Sequence, residues 1–274
     1  MRLAPVASLL LSIGLVGCMD GPAREGSFDR TFSVSGKVML SVEDGAGNIV
    51  VHPGTDQKVI VNAHIRARGS FTGMSSEEKV KRITANPPIT QSGSTIRITR
   101  PSDSELTRNV FIDYDITAPA QSQVSAFTGA GKIDIRGMQA SVEATSGAGA
   151  IIVEDLSDDA RVHTGAGNID VRTVRGRVDA ESGAGRITVR GEPQKDWRVT
   201  TGAGSIKLEL PPDASLDLDA ETGMGRVNLA SEFQMKDASV STGRVHGTMG
   251  KGGPSVKITN GAGSIEIARG TEQN

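Results

Sequence analysis

The chain has 274 residues, with 30 Lys and Arg against 32 Asp and Glu and a formal net charge of −2, so bulk charge draws it to neither nucleic acid nor an anionic lipid surface. Aromatic residues make up 3% and glycine fills 34 positions, a balance that argues against an ordinary globular enzyme and for a repetitive β protein. Cys18 is the single cysteine, which excludes an intramolecular disulfide and leaves packing and hydrogen bonds to hold the fold.

In chain order, Met1 and Arg2 make a short basic start, and Ala4 to Val16 form an apolar stretch broken by Pro5, Ser12 and Gly14. This is the layout of a secretory signal over residues 1–17, too short to span a bilayer. It ends in Leu15-Val16-Gly17-Cys18, which resembles the lipobox of bacterial lipoproteins. That resemblance implies cleavage before Cys18 and lipidation of its thiol, which would hold the mature chain on a membrane surface rather than through it. The expected location is therefore outside the cytoplasm; Met19 does not resemble the aspartate that retains some lipoproteins in the inner membrane, and this leans toward the outer membrane, on its periplasmic face or at the cell surface. Residues 18–35, rich in Gly, Pro, Ser and charge as far as about residue 30, read as a tether.

Residues 36–127 read as an N-terminal β segment and cap. Lys58 to Ala67 alternates as a strand, and Ser75-Ser76-Glu77-Glu78 looks like a capping box opening a short helix through about Ile83. Thr95 to Arg100 and Asn109 to Ala118 read as two further strands.

Residues 128–270 carry the main signal, a repeat. Gly-Ala-Gly recurs at Gly45, Gly129, Gly147, Gly165, Gly183, Gly202 and Gly261, with a variant at Gly223-Met224-Gly225 and a shortened copy at Thr242-Gly243; from Gly129 the spacings are 18, 18, 18, 19, 21, 20 and 18 residues. After each corner come Ile133, Ile151, Ile169, Ile187, Ile206, Val227 and Ile265, and two residues later Ile135, Val153, Val171, Val189, Leu208, Leu229 and Ile267. Between them lie Asp134, Ile152, Asp170, Thr188, Lys207, Asn228 and Glu266, so each copy is a strand with one constant, inward face and one variable face. Before each corner the inward residues are paired as Val142 with Ala144, Ala160 with Val162, Val178 with Ala180, Trp197 with Val199, Leu218 with Ala220 and Ala238 with Val240. Large and small exchange places in the first three, as stacked coils sharing a fixed volume require. Glycine suits a corner where coils approach closely, and a second corner carries Gly137, Gly176 and Gly191. The Ser or Thr before most corners, from Thr128 to Thr242, is placed for a hydrogen-bonded ladder. The predicted fold is all-β: a parallel β-solenoid, or β-helix, of about 18-residue Gly-Ala-Gly coils, capped N-terminally by a small β segment with one short helix. An antiparallel meander of hairpins is the competing layout. The polar tail after Ile267 is too short for a substantial cap, which leaves the C-terminal end open to a partner.

With these residues in view, the chain resembles the bacterial putative-adhesin family of β-strand-repeat domains, a toastrack-like domain of unknown function. The resemblance runs from about Phe32 to Ala268 and rests on the Gly47-Asn48-Ile49-Val50-Val51 strand, the Ser75 to Ile83 helix followed by Ser92-Gly93-Ser94-Thr95-Ile96, the Ile116-Thr117-Ala118-Pro119-Ala120 entry to the repeats, and the repeats themselves. It implies a β-solenoid outside the cytoplasm, commonly lipid-anchored or exported, and brings no catalytic residues with it.

His52, His64, His163 and His246 show no metal-ligand spacing, and His163 falls in an outer polar column with Thr145, Glu181, Thr200 and Glu221. The calcium β-roll needs an aspartate in every copy, which the series from Asp134 to Glu266 does not supply. Gly-Ala-Gly lies between strands rather than before a helix, so it offers no phosphate loop. As flat platforms for sugar the repeats offer only Trp197 and Phe233, and Trp197 lies in an inward column expected to be core. The expectation is no catalytic residue, cofactor or metal, with Cys18 as the lipidation site. The function expected is a non-catalytic, lipid-anchored cell-envelope solenoid with an adhesive, structural or partner-binding role. Its partners would be the membrane, through Cys18, and an envelope protein or polysaccharide, with no nucleic acid. An envelope-stress or regulatory component that binds a membrane protein is the alternative. A polysaccharide-acting β-helix enzyme comes third and needs paired carboxylates that the sequence does not locate.

Overall fold

A computed structural model describes residues 23–55, 57–69 and 73–270. The signal and Cys18 lie outside the described residues. The N-terminal part contains β1 (Ala23–Ser33), β2 (Met39–Ala46), β3 (Ile49–Gly54), β4 (Lys58–Arg68), α1 (Ser76–Ala85), β5 (Ile89–Ser92), β6 (Thr95–Ile98), the one-turn α2 (Ser104–Thr107) and β7 (Val110–Pro119). The repeats follow as β8 (Gln123–Ala130), β9 (Ile133–Arg136), β10 (Val142–Ala148), β11 (Ile151–Leu156), β12 (Ala160–Ala166), β13 (Ile169–Val174), β14 (Val178–Arg190) and β15 (Trp197–Leu210). The chain ends with β16 (Leu216–Met224), β17 (Val227–Leu229), β18 (Met235–Ser241), β19 (Arg244–Met249), β20 (Ser255–Ala262) and β21 (Ile265–Arg269).

Two ladders run the length of a parallel β-solenoid. Face A holds the strands before the glycine corners, where Val124, Val142, Ala160, Val178 and Trp197 pair in register. Face B holds those after them, where Ile133, Ile151, Ile169, Ile187 and Ile206 pair in register. The hairpin meander is thereby excluded for the repeats. Inward residues of both faces form one continuous hydrophobic core. Val142 and Ala144 stand directly against Ala160 and Val162, and these against Val178 and Ala180, so the exchange of large and small keeps each layer filled. Trp197, the largest fully buried side chain, satisfies its indole by donating from Nε1 to the Gly176 carbonyl at 3.3 Å.

The corners work as close approaches of backbone. A Cβ on Gly131 would lie 2.0 Å from the Gly47 carbonyl oxygen, and one on Gly185 would lie 2.0 Å from that of Gly167. The second corner has its own left-handed position, filled in successive coils by Gly137, Asp155, Thr173 and Gly191. Gly176 serves a different need, because a Cβ there would lie 2.2 Å from the backbone of Asp158.

The order of coils departs from the sequence at both ends. The copies do not stack simply in chain order: the last coil, β20–β21, lies between β15 and the coil β16–β17. At the other end the first coil, β2–β3, lies between β6–β7 and β8–β9. Each chain-terminal coil is thus hydrogen-bonded on both sides, which removes the frayed final repeat that a sequential stack would have. The C-terminal end is also not open in the way the tail suggested. β18 and β19 form an antiparallel hairpin on β16. The shortened copy at Thr242-Gly243 is part of that hairpin rather than a coil, and Ala238 and Val240, read as inward, are exposed.

A second correction concerns the tether. Residues 23–33 are strand β1, paired antiparallel with β4 along its whole length. On this edge strand Phe28 alone is buried, with Phe32 partly so, and alternation is too weak to read against the surrounding charges. Helix α1 packs on this end, with Ser75 Oγ accepting the Glu78 N–H at 3.2 Å as the capping box predicts. Fully buried Lys79 ties the helix to two chain segments, its Nζ donating to the carbonyls of Arg108 at 2.7 Å and Arg68 at 3.4 Å.

Candidate functional site

The inner side of each corner carries a ladder of side-chain donors. Thr128, Ser146, Thr164, Ser182 and Thr201 each donate to the second corner glycine of the neighbouring coil, the acceptors being the carbonyls of Gly47, Gly131, Gly149, Gly167 and Gly185 at 3.0–3.4 Å. Across the interleaved end, Asn260 donates to Gly204 at 3.2 Å and Thr222 to Gly263 at 3.0 Å. These are buried donors with satisfied partners, and they serve the fold rather than a ligand. The predicted member Thr242 is exposed and does not join them.

Face B presents charge to the outside. Asp134 takes hydrogen bonds from Lys132 Nζ at 2.8 Å and Arg136 Nε at 2.7 Å. Arg136 also sits 2.8 Å from Glu154 in an ion pair without hydrogen-bond alignment, and Arg172 joins Glu154 to Asp170. Further along, Glu209 is held by Arg190 and by Lys207, the latter at 2.9 Å. Burial pushes the Asp134 and Glu209 carboxyls up, but the cationic hydrogen bonds from Arg136 and Lys132, and from Arg190 and Lys207, outweigh it and hold both below the usual carboxylate range. Asp134 lies in the outward column the sequence identified, yet it is only 7% exposed because its partners fold over it. Paired cations and carboxylates of this kind form a structural seam along face B.

The histidines do not converge. His52 faces Asp115 at 4.0 Å, His64 faces Glu25 at 3.7 Å and His163 faces Glu181 at 3.6 Å, each as an exposed pair, while His246 faces Asp219 at 4.0 Å beside Arg244, which also holds that carboxylate. The outer column around His163 is the predicted one, with Thr259 inserted between Thr200 and Glu221 by the interleaved coil. Among the described residues no group of three or more His, Cys, Asp or Glu is placed to hold a metal ion. On face B near the N-terminal end, Asn48, Asn62, His64, Asp113 and Asp115 line a shallow depression of about 500 Å³. It is open, and Phe28, Val50, Ala63 and Tyr114 make its exposed lining mostly apolar; Asp113 within it is already engaged by Arg66 and the Asn48 N–H, both at 2.8 Å.

One feature escaped sequence reasoning. In the ladder column the first coil carries Asp44, which is 5% exposed and has an Oδ2 with no partner. The signal was present as an acid where other copies have a hydroxyl, but only the register identifies the column.

Fold and surface together define a two-faced, glycine-cornered β-solenoid with a buried donor ladder at its corners and a charged seam on face B. Residues 38–268 match the model of the Toastrack DUF4097 family, and the chain belongs to that family. It is similar to a putative cell adhesion protein from Clostridium sporogenes, at 15% identity over 90% of this chain and 100% of that one, with a TM-score of 0.39. It is also similar to a putative adhesin from Bacteroides fragilis, at 12% identity over 89% of this chain and 97% of that one, with a TM-score of 0.36. No curated protein matches the chain. No helix among the described residues is long and apolar enough to cross a membrane.

Proposed function

We propose that the protein is a non-catalytic scaffold of the cell envelope, lipid-anchored through Cys18, which offers its long outer faces for adhesion or for contact with an envelope protein or polysaccharide. The observation that carries this reading is the state of the outward ionisable groups. The half-buried carboxylates of face B are consumed in ion pairs along the stack, and the histidines stand apart from one another. A rigid surface of fixed, alternating charge is suited to recognition rather than to proton transfer. The signal-like start and the Leu15 to Cys18 segment support the anchor.

Protease shaving of intact cells, followed by detection of the Gly129 to Ala268 repeats, tests the location. Loss of signal is expected for a surface scaffold, and protection until the envelope is opened would overturn the adhesive role in favour of a periplasmic partner. In parallel, Cys18→Ser is expected to release the protein from the membrane fraction; continued detergent-phase partitioning would overturn the anchor.

A further inference from the structure

The corner ladder has a donor in every coil but one. Asp44 stands in register with Thr128, Ser146, Thr164, Ser182, Thr201, Asn260 and Thr222. Its Oδ2 occupies the same place as their donor atoms. Measured from the position a Cβ would take on the following corner glycine, Asp44 Oδ2 is 3.0 Å away, Ser146 Oγ 3.1 Å, Thr222 Oγ1 3.3 Å and Asn260 Nδ2 3.3 Å. The acceptor is conserved in space as well. The carbonyl oxygen that such a Cβ would meet is Gly131 O at 2.0 Å beside Ser146, Gly263 O at 1.9 Å beside Thr222, and Ile112 O at 2.1 Å beside Asp44. Ile112 belongs to β7, on the outer neighbour of the first coil. An ionised carboxylate has only lone pairs to turn toward that carbonyl, whereas the acid form has an O–H.

We propose that Asp44 works in its acid form as the first rung of the ladder, its Oδ2–H donating to the Ile112 carbonyl, so that the N-terminal cap is clasped to the first coil in acid and loosened as the pH rises toward neutrality. The surroundings favour the acid. Burial pushes the Asp44 carboxyl up to about 6, with the Asp113 charge on β7 adding to it; the backbone amides of Gly45 and Ala46 and the Arg100 guanidinium oppose the shift without cancelling it. Arg100 reaches in from beyond β6, with its Nε 3.3 Å from a Cβ position on Gly45. Of the remaining titratable groups on β7, Asp115 faces His52 at 4.0 Å, and Tyr114 is pushed up by burial first and then by Asp44 itself, and stays neutral throughout this range. β8 contributes the uncharged Thr128 to the contact.

The sign follows from linkage. A carboxyl whose folded value is about 6 against a reference of 3.8 contributes stability that is present below the reference value and is lost as the pH rises through the folded one. A displacement of about two pH units corresponds to a loosening of roughly 100-fold in the opening equilibrium of the junction.

Hydrogen exchange on the full chain measures this at the Tyr114 amide, which crosses the junction to the Asn48 carbonyl at 2.8 Å, with the Ile151 amide, bonded to Asn168 at 2.9 Å, as the distant control. After correction for intrinsic exchange, the Tyr114 opening constant is expected to rise by roughly 25-fold between pH 4.5 and 7.5, while Ile151 stays level. Asp44→Thr, which installs the column's own donor, is expected to abolish the rise. A pH-independent Tyr114 in the wild type, or the same rise in Asp44→Thr, would overturn the proposal. Should that variant not fold, a carbon-13 titration of the Asp44 carboxyl in the wild type decides the matter: an acid form persisting at pH 5 is expected, and an ionised group there would refute it.

Discussion

Replacing Gly185 by Ala tests the reading of the corners at one atom. Gly185 has φ +149°, and a Cβ there would lie 2.0 Å from the Gly167 carbonyl oxygen of the neighbouring coil. A left-handed conformation of this kind is essentially confined to glycine and costs a side-chain-bearing residue about 1–3 kcal/mol. To bring the methyl to an ordinary contact of about 3.4 Å, the two backbones must part by more than an ångström. That separation breaks or stretches the Gly167 N–H bond to the Ala184 carbonyl, now 2.9 Å, at a further cost of about 1 kcal/mol. The sum is about 2–4 kcal/mol, a large share of the 5–15 kcal/mol that typically holds a domain. Ala184, one residue earlier, is exposed, so Ala184→Gly serves as a control and should fall within about 1 kcal/mol of wild type. Urea unfolding at neutral pH separates the two. A Gly185→Ala midpoint equal to the control would refute the close-approach account.

Other consequences are as specific. Removing residues 255–270 extracts a coil from the middle of the stack rather than its end, so it is expected to expose β15 and β16 together and to make residues 197–249 protease-sensitive; protection of that region would contradict the interleaved order. Thr173 is a β-branched residue at φ +51°, and Thr173→Gly is expected to raise stability by about 1 kcal/mol through relief of that strain, measurable as a higher melting temperature; a lower one would show that the side chain contributes more than the strain takes away. Asp134 behaves oppositely to Asp44. Its carboxyl is held below the usual range by Arg136 and Lys132 against the pull of burial, so its contribution is present above the ordinary carboxylate value and lost as the pH falls through the lower folded one. Asp134→Asn should therefore flatten the acid limb of the stability profile below about pH 4, and an unchanged limb would remove Asp134 from the account.

Much of the architecture was legible because the repeat aligns the chain against itself. Ile133, Ile151 and Ile169 recur where a buried column requires β-branched residues, and the swaps among Val142, Ala144, Ala160 and Val162 betray the shared volume of adjacent coils. Ser75 announced its helix by capping chemistry that is local to four residues. The candidate sites were harder to see. Asp134 reads as a solvent-facing charge by its position in the strand, and only the folding of Lys132 and Arg136 over it buries it. Edge strand β1 has one neighbour and little buried surface, so its pattern carries almost no alternation. In the β18–β19 hairpin, inward and outward were misassigned because the shortened copy keeps the composition of a coil without its partner strands.

Local chemistry and periodicity are written residue by residue, and so the sequence alone determines that this is a glycine-cornered β repeat with a known inward face. Which coil lies beside which is another matter. Every coil presents nearly the same ladder to its neighbours, so the interleaving of β20–β21 and β2–β3 is decided by where the chain's longer excursions allow it to return. The same holds for Asp44: its place in the chain marks it as an acid before a glycine corner, but the carbonyl it faces comes from β7, which only the folded stack brings beside it.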